Sequence, residues 1–408
     1  MSIAAGRSLI TDDWRISGRV YRDEEVFEAE MRGIFGRCWI FVAHESEIPD
    51  GGDYKVAHIG RQPVIVSRHA DDGSIHVMLN RCRHRGSAVC QREFGNANHF
   101  RCSYHGWTYG SDGKLIGVPF PDAYGDDFDT STMGLLAVPR VESYRGFLFA
   151  SLDPDVVPLR EYLGNATRFL DFIADLPGGI ELTARAHKLE YEGNWKLQLE
   201  NTIDCYHFSF THKSWLDILK QRGTSSPATW VSNVTKNESW RTLDLGGGHA
   251  AHEYGPLESY AAGAEVANFS SGELLPFNFV VFPTLGFVGA QLRVVVPISA
   301  TRTRVLLYPM LPRGYDEERR AEILRNHEAF YGPSGAGSAD DIEVGFERVR
   351  NGLSADATDQ DWVLMSRGLH REVVDEETGI RYGRSADELT QRAFYRRWLS
   401  LVEEQLDA

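Results

Sequence analysis

Two histidines, His207 and His212, stand five positions apart in "ENTIDCYHFSFTHKSW" (Glu200–Trp215), with Asp204 three residues ahead of the first. On one regular helix a five-residue step turns about 140° past a full revolution, so the two imidazoles would not share a face. Both reach one ion only if the helix ends or distorts after His207 and His212 returns from the following turn. Two imidazoles and a carboxylate on adjacent positions of iron(II) form a facial triad, which leaves the remaining positions to dioxygen and substrate. The plainer reading is one core histidine and one surface histidine.

A second set of donors lies upstream. "CRH" supplies Cys82 and His84, and after seventeen intervening residues "CSYH" supplies Cys102 and His105. Each half contributes one thiolate and one imidazole from a loop beside strand-like sequence, so two hairpins can close on one centre. Zinc accepts the same four donors, but its finger spacing puts both cysteines in one half and both histidines in the other. The mixed C-x-H and C-x-x-H halves resemble the Rieske signature, in which two histidines replace two cysteines on one iron of a 2Fe-2S cluster. Cys90 falls outside the pattern and reads as a buried thiol; His99 reads as a surface residue.

The run N-W-K-x-x-x-E-N-x-x-D-x-Y-H-x-x-x-x-H from Asn194 to His212 resembles the mononuclear iron motif of the Rieske non-haem iron oxygenases, the ring-hydroxylating dioxygenase α subunits. Both signatures occur in the family's order, and the likeness extends to "FVAHESEIPDGGDY" and "SRGLHRE". The resemblance implies one 2Fe-2S Rieske cluster on Cys82, His84, Cys102 and His105, and one mononuclear Fe(II) on His207, His212 and a carboxylate from a later helix. Candidates for that carboxylate are Asp340, Asp341, Asp356, Asp359 and Asp361. "DDIEVGFERVRNGL" looks like the ligand helix of the benzoate- and terephthalate-type branch, where an acid precedes R-x-G-[LY] by nine positions. Counting back from Arg350 selects Asp341, with Asp340 as its rival; Val349 stands where the family usually has Gln.

Three residues before His207, Asp204 can reach that ring's second nitrogen and orient it. In the family the matching Asp also bridges to a Rieske histidine of the neighbouring subunit, here His105. The resemblance therefore implies a ring-shaped homotrimer in which electrons cross between subunits, with a small β subunit often completing an α3β3 assembly.

The elements that must position these groups divide the chain. "DEEVFEAEMRGIF" has helical apolar spacing, with acids in its first turn and Gly36 beyond its end. From about Trp39 to Leu152, β-rich runs such as "YKVAHIG", "PVIVSR" and "IHVMLN" alternate with turn signals. Strand-like "AHKLEYEG", "FNFVVFP", "TLGFVGA", "LRVVVPI" and "TRVLLYPML" follow, then helical runs at "DEERRAEILRNHEAFYG", "SADDIEVGFERVRNGL" and "ADELTQRAFYRRWLSLVEEQL". The expected architecture is α+β. It comprises an N-terminal helical segment (1–38) packing on the catalytic domain, an all-β Rieske domain (39–155), and a helix-grip-like catalytic domain (156–408) with an antiparallel sheet surrounded by helices.

The 408 residues carry 43 Lys and Arg against 58 Asp and Glu, a formal charge of −15. That balance argues against nucleic acid as a partner. Nothing at the N-terminus reads as a signal peptide, and the most apolar stretch is too short to span a bilayer, so a cytoplasmic location away from membranes is the default. Five cysteines, an odd count, disfavour a disulfide framework. Neither a G-x-G-x-x-G turn after a strand nor a plant-type ferredoxin spacing is present. Electrons must then come from a separate NADH-dependent reductase, directly or through a ferredoxin.

For substrate, Phe208, Phe210, Trp215, Leu216 and Ile218 could line a pocket for a flat ring, though each could equally be core. Arg293 interrupts an apolar strand, and an Arg at the similar place in terephthalate-type relatives faces the substrate carboxylate, which a guanidinium fork suits. The bland alternative is a solvent-facing Arg; Arg384 is a weaker second candidate. Arg293, Asn201 and Phe208 are the candidate substrate contacts. The expected reaction is cis-dihydroxylation of an aromatic carboxylate with O2. Three alternatives stay open: monohydroxylation or demethylation at the same site, an electron-transfer protein, and a zinc-stabilised binding module.

Overall fold

Strands Asp53–Ile59, Gln62–Arg68 and Ile75–Leu79, each with an apolar buried stretch, pair antiparallel, with Phe94–Asn96 added on the edge of Asp53–Ile59. A three-stranded sheet of His99–Arg101, Thr108–Gly110 and Leu115–Gly117 and another of Arg140–Tyr144, Phe147–Ser151 and Ile40–His44 complete this β unit. The computed structural model describes residues 8–182, 185–222, 239–260, 275–332, 335–355 and 361–406. Within it, Phe35–Leu159 forms one compact unit, and Met1–Ile34 with Arg160–Ala408 forms the other.

The larger unit is built on an antiparallel sheet of ten strands among the described residues. Its path runs Ile180–Leu182, Arg302–Pro312, Gln291–Ser299, Leu285–Val288, Phe277–Val281, His249–Glu253, Arg241–Gly246, Arg381–Arg384 and Val373–Val374, with His187–Tyr191 also pairing on Arg302–Pro312. Strands Arg241–Gly246 and His249–Glu253 carry "LDLGGGHAAHE", which has no clean alternation; both are buried at the sheet centre, so the two-fold period does not show there. Phe277–Val281 and Gln291–Ser299 are near-continuous apolar runs for the same reason.

Helix α1 (Glu24–Gly33), capped by Asp23, lies against the C-terminal helix, α6 (Leu389–Leu406). Between them in sequence come α2 (Lys196–Thr202), the single turn α3 (Phe208–Thr211), α4 (Lys213–Gln221) and α5 (Glu317–Tyr331). The helical stretch 336–353 is π-helical in its middle, Asp341–Glu347. Gly286 has a packing reason: a Cβ there would meet Thr202 Cγ2 at 3.1 Å, so its bare backbone lets α2 lie close to the sheet, directly beside Arg293 on the paired strand.

Candidate functional site

Helix α2 stops at Thr202, before His207 rather than after it. Asp204 causes the stop: its Oδ1 accepts the Tyr206 N–H at 2.6 Å, a local turn that competes with helix continuation. The chain re-enters helix at Phe208 for one turn, and His212 sits at the joint between α3 and α4 with φ −96° and ψ 22°. The expected distortion is therefore real but doubled, one break on each side of α3. Asp204 acts from a non-helical link.

These breaks turn both imidazoles toward Asp341, the first residue of the π-helical segment. His212 Nε2 lies 3.2 Å from Asp341 Oδ1, and His207 Nε2 lies 3.7 Å from the same oxygen. One ligand atom from each of the three residues falls within 4.8 Å of the others. The rear nitrogen of each ring meets another acid: His207 Nδ1 is 3.1 Å from Asp204 Oδ2, and His212 Nδ1 is 3.3 Å from Asp340 Oδ2. With Nδ1 hydrogen-bonded to a carboxylate, each Nε2 keeps its lone pair for a cation, the usual carboxylate–histidine–metal arrangement. Burial would raise the Asp341 carboxyl, but the His212 hydrogen bond and the charges of His207, His212 and Arg293 outweigh it and hold the group below its ordinary value. Burial lowers His207, and the hydrogen bond and charge of Asp204 with the charge of Asp341 raise it further than that. The donor set suits Fe(II).

Asn201 stands inside this cluster, its Nδ2 3.1 Å from both His207 Nε2 and Asp341 Oδ1. Its Oδ1 accepts from Arg293 Nη1 at 3.4 Å, and Arg293 also donates to Thr202 Oγ1 at 3.2 Å and Gln291 Oε1 at 2.6 Å. Arg293 is 4% exposed, lies over the Tyr331 ring, and has no carboxylate ion-pair partner among the described residues. The solvent-facing alternative is thus excluded. Phe208 sits edge-on to His212 at 5.0 Å, and Trp215 and Phe330 extend the same aromatic wall. Phe210 and Ile218 do not belong to it: they are 72% and 45% exposed. Arg384 is exposed at a strand end. Among the rival acids, Asp361 pairs with Arg22, and Asp356 and Asp359 lie outside the described residues.

In the β unit the two C-x-H and C-x-x-H loops have the same backbone turn. The Gly86 N–H donates to the Cys82 carbonyl and the Gly106 N–H to the Cys102 carbonyl, both at 3.0 Å, and both glycines have positive φ, 76° and 74°. The loops set the His84 and His105 rings 4.5 Å apart, and His84 stacks on Trp107 at 5.1 Å. Cys82 and Cys102 are buried free thiols, and Tyr109 Oη lies 3.2 Å from Cys82 Sγ. His84 Nδ1 is buried with no hydrogen-bond partner, a state that a metal bond through that nitrogen would relieve. Two thiols and two paired imidazoles with that orphaned nitrogen fit a 2Fe-2S cluster with two histidines on one iron. Cys90 is buried outside the loops, and His99 is exposed on its strand.

The rest of the N-W-K-x-x-x-E-N run has a role its spacing does not reveal. Lys196 Nζ pairs with Glu30 of α1, and Trp195 Nε1 and Trp398 Nε1 each donate to the same carboxylate at 2.7 Å. Glu200 accepts from Tyr21 at 3.0 Å and from Tyr395. Helix α2 is thereby clamped by α1 and α6, and Asn201 at its end is held in place. Trp107, Tyr109, Thr202, Gln291, Tyr331 and Phe330 are further neighbours of the two centres with no signal in the sequence short of the fold.

Comparison with known proteins agrees with both centres. Residues 38–144 match the Rieske [2Fe-2S] domain, and residues 181–404 match the ring hydroxylating alpha subunit (catalytic domain). The chain is 33% identical to the 2-halobenzoate 1,2-dioxygenase large subunit of Burkholderia cepacia, over 90% of this chain and 83% of that one. It is 33% identical to the toluate 1,2-dioxygenase subunit alpha of Pseudomonas putida, over 92% and 87%. A solved naphthalene 1,2-dioxygenase with indole in its active site superposes with a TM-score of 0.85 at 28% identity, covering 98% of this chain and 96% of that one. Among the described residues no helix is long and apolar enough to cross a membrane. With a Rieske cluster and a mononuclear iron as its cofactors, the chain belongs to the α subunits of the Rieske aromatic-ring-hydroxylating dioxygenases.

Proposed function

We propose that this α subunit adds both atoms of dioxygen to the ring of an aromatic carboxylate, giving a cis-dihydrodiol. His207, His212 and Asp341 hold the mononuclear iron; Cys82, His84, Cys102 and His105 hold the cluster. When bound, the cluster supplies electrons singly and the iron supplies the site of oxygen activation. Asp204 keeps the His207 Nδ1 proton and so aims Nε2 inward. Asn201 joins the iron ligands to Arg293, and Phe208 forms part of the wall against which a flat ring rests.

The observation that carries the reading is Arg293. Arg293 feels the Asp341 charge but makes no ion-pair contact with a carboxylate among the described residues; a buried guanidinium is costly unless its charge is answered, and a substrate carboxylate would answer it with bidentate hydrogen bonds. The halobenzoate, toluate and anthranilate names of relatives point the same way. Electrons come from a separate NADH-dependent reductase or its ferredoxin, and Asp204 meets His105 of a neighbouring subunit in a homotrimer, with or without β subunits, in the cytoplasm. The direct test is a product assay with a reductase across benzoate-type acids and neutral rings. Oxidation of the acids supports the reading; turnover confined to neutral rings overturns it.

A further inference from the structure

Behind the Asp204 link lies a buried polar chain that the site described above does not use. Cys205 Sγ is 3.1 Å from His252 Nδ1, and His252 Nε2 is 2.8 Å from Ser385 Oγ. The three residues are 2%, 0% and 5% exposed. His252 stands on His249–Glu253 at the sheet centre, its ring edge-on to Trp240 and angled against Tyr254, and Ser385 follows strand Arg381–Arg384. The buried strand His249–Glu253 and the residue after strand Arg381–Arg384 therefore grip the residue immediately after Asp204.

A neutral imidazole carries one ring proton, so His252 donates at one end of this chain and accepts at the other. Burial pushes His252 down to about 4, so the ring stays neutral at neutral pH. On the opposite side, Thr390 Oγ1 donates to the Ile203 carbonyl at 3.1 Å and Gln391 Nε2 to the Glu200 carbonyl at 3.3 Å, both from α6. The link is thus held before Asp204 by α6 and after it by the sheet, with the Asp204 carboxylate between the Tyr206 N–H and His207 Nδ1.

We propose that Cys205, His252 and Ser385 are positioning residues that fix the Asp204 carboxylate on His207 and so hold Nε2 on the metal. This rests on the reading of His207 as an iron ligand oriented by Asp204. Groups behind a metal-bound histidine change metal affinity by about 10–100-fold when removed, and the chain should act at the lower end of that range.

The test is cobalt(II) titration of the full-length protein stripped of its mononuclear iron, read by visible absorption, with thermal melting alongside. Cys205→Ala is expected to weaken cobalt about tenfold, and Cys205→Ser, which restores a hydrogen-bonding group, to recover most of that loss. Ser385→Ala, a milder change at the far end, should weaken it about threefold and stands in if Cys205→Ala does not fold. A merely structural chain would lower the melting temperature and leave cobalt affinity at the wild-type value, which overturns the proposal. Asp204→Asn separates the layers. Weakened cobalt in Asp204→Asn with unchanged affinity in the Cys205 and Ser385 variants rejects the chain alone. Unchanged affinity in Asp204→Asn rejects the orienting role of Asp204 itself.

Discussion

Asp340 and Asp341, adjacent in the chain, meet opposite nitrogens of the same His212 ring: Asp340 Oδ2 lies 3.3 Å from Nδ1 and Asp341 Oδ1 lies 3.2 Å from Nε2. Asp341 is also the one of the pair that His207 faces. Neighbouring residues on a helix point about 100° apart, so one acid enters the site while the other backs the ring. Asp341→Ala is expected to abolish iron at the mononuclear site and leave the cluster spectrum intact. Asp340→Asn should keep the iron with about tenfold weaker affinity. Metal analysis with electron paramagnetic resonance reads both, and the reverse ranking would exchange the roles of the two acids.

Arg293 should discriminate by substrate charge. Arg293→Met removes the buried cation, and hydrogen bonds to charged groups contribute about 1.5–3 kcal/mol each. KM for aromatic acids is expected to rise about 10- to 100-fold, while a neutral ring is bound no worse. Arg293→Lys keeps charge but loses the fork and should fall between. Steady-state kinetics on a matched acid and neutral ring decide it; an equal loss on both would assign Arg293 to holding Asn201 alone.

The Lys196–Glu30 pair is buried on both sides. Lys196→Met strands the Glu30 carboxylate, and breaking such a pair costs about 3–5 kcal/mol. Replacing both, as Glu30→Gln with Lys196→Met, removes the unpaired charge and should recover part of that loss. Denaturant unfolding of the larger unit reads the difference, and a single variant as stable as the wild type would show that the clamp on α2 does not depend on this pair.

The two sets of candidate metal ligands could be picked out because metal chemistry restricts residue type and spacing. Cys82, His84, Cys102 and His105 need only short loops around themselves, and the run from Asn194 to His212 contains two of the three residues proposed to hold the iron. The location of the helix break was not legible: it depends on Asp204 capturing the Tyr206 N–H, which costs α2 its continuation earlier than the histidine spacing suggests. The roles of Trp195, Lys196 and Glu200 were hidden for another reason. Their partners Glu30, Tyr21, Tyr395 and Trp398 lie far away in sequence, and nothing local distinguishes a lysine in a clamp from one at a surface. The strands Arg241–Gly246 and His249–Glu253 escaped notice because full burial erases alternation. Phe210 and Ile218 show the converse, since apolar type alone does not distinguish a pocket wall from an exposed surface.

The most direct test is turnover under isotopically labelled dioxygen, with a reductase and a benzoate-type acid. A cis-dihydrodiol carrying two labelled oxygens, formed by the wild type and not by His207→Ala with its cluster intact, is the predicted result. A product carrying one labelled oxygen, or ring oxidation that survives His207→Ala, would contradict it.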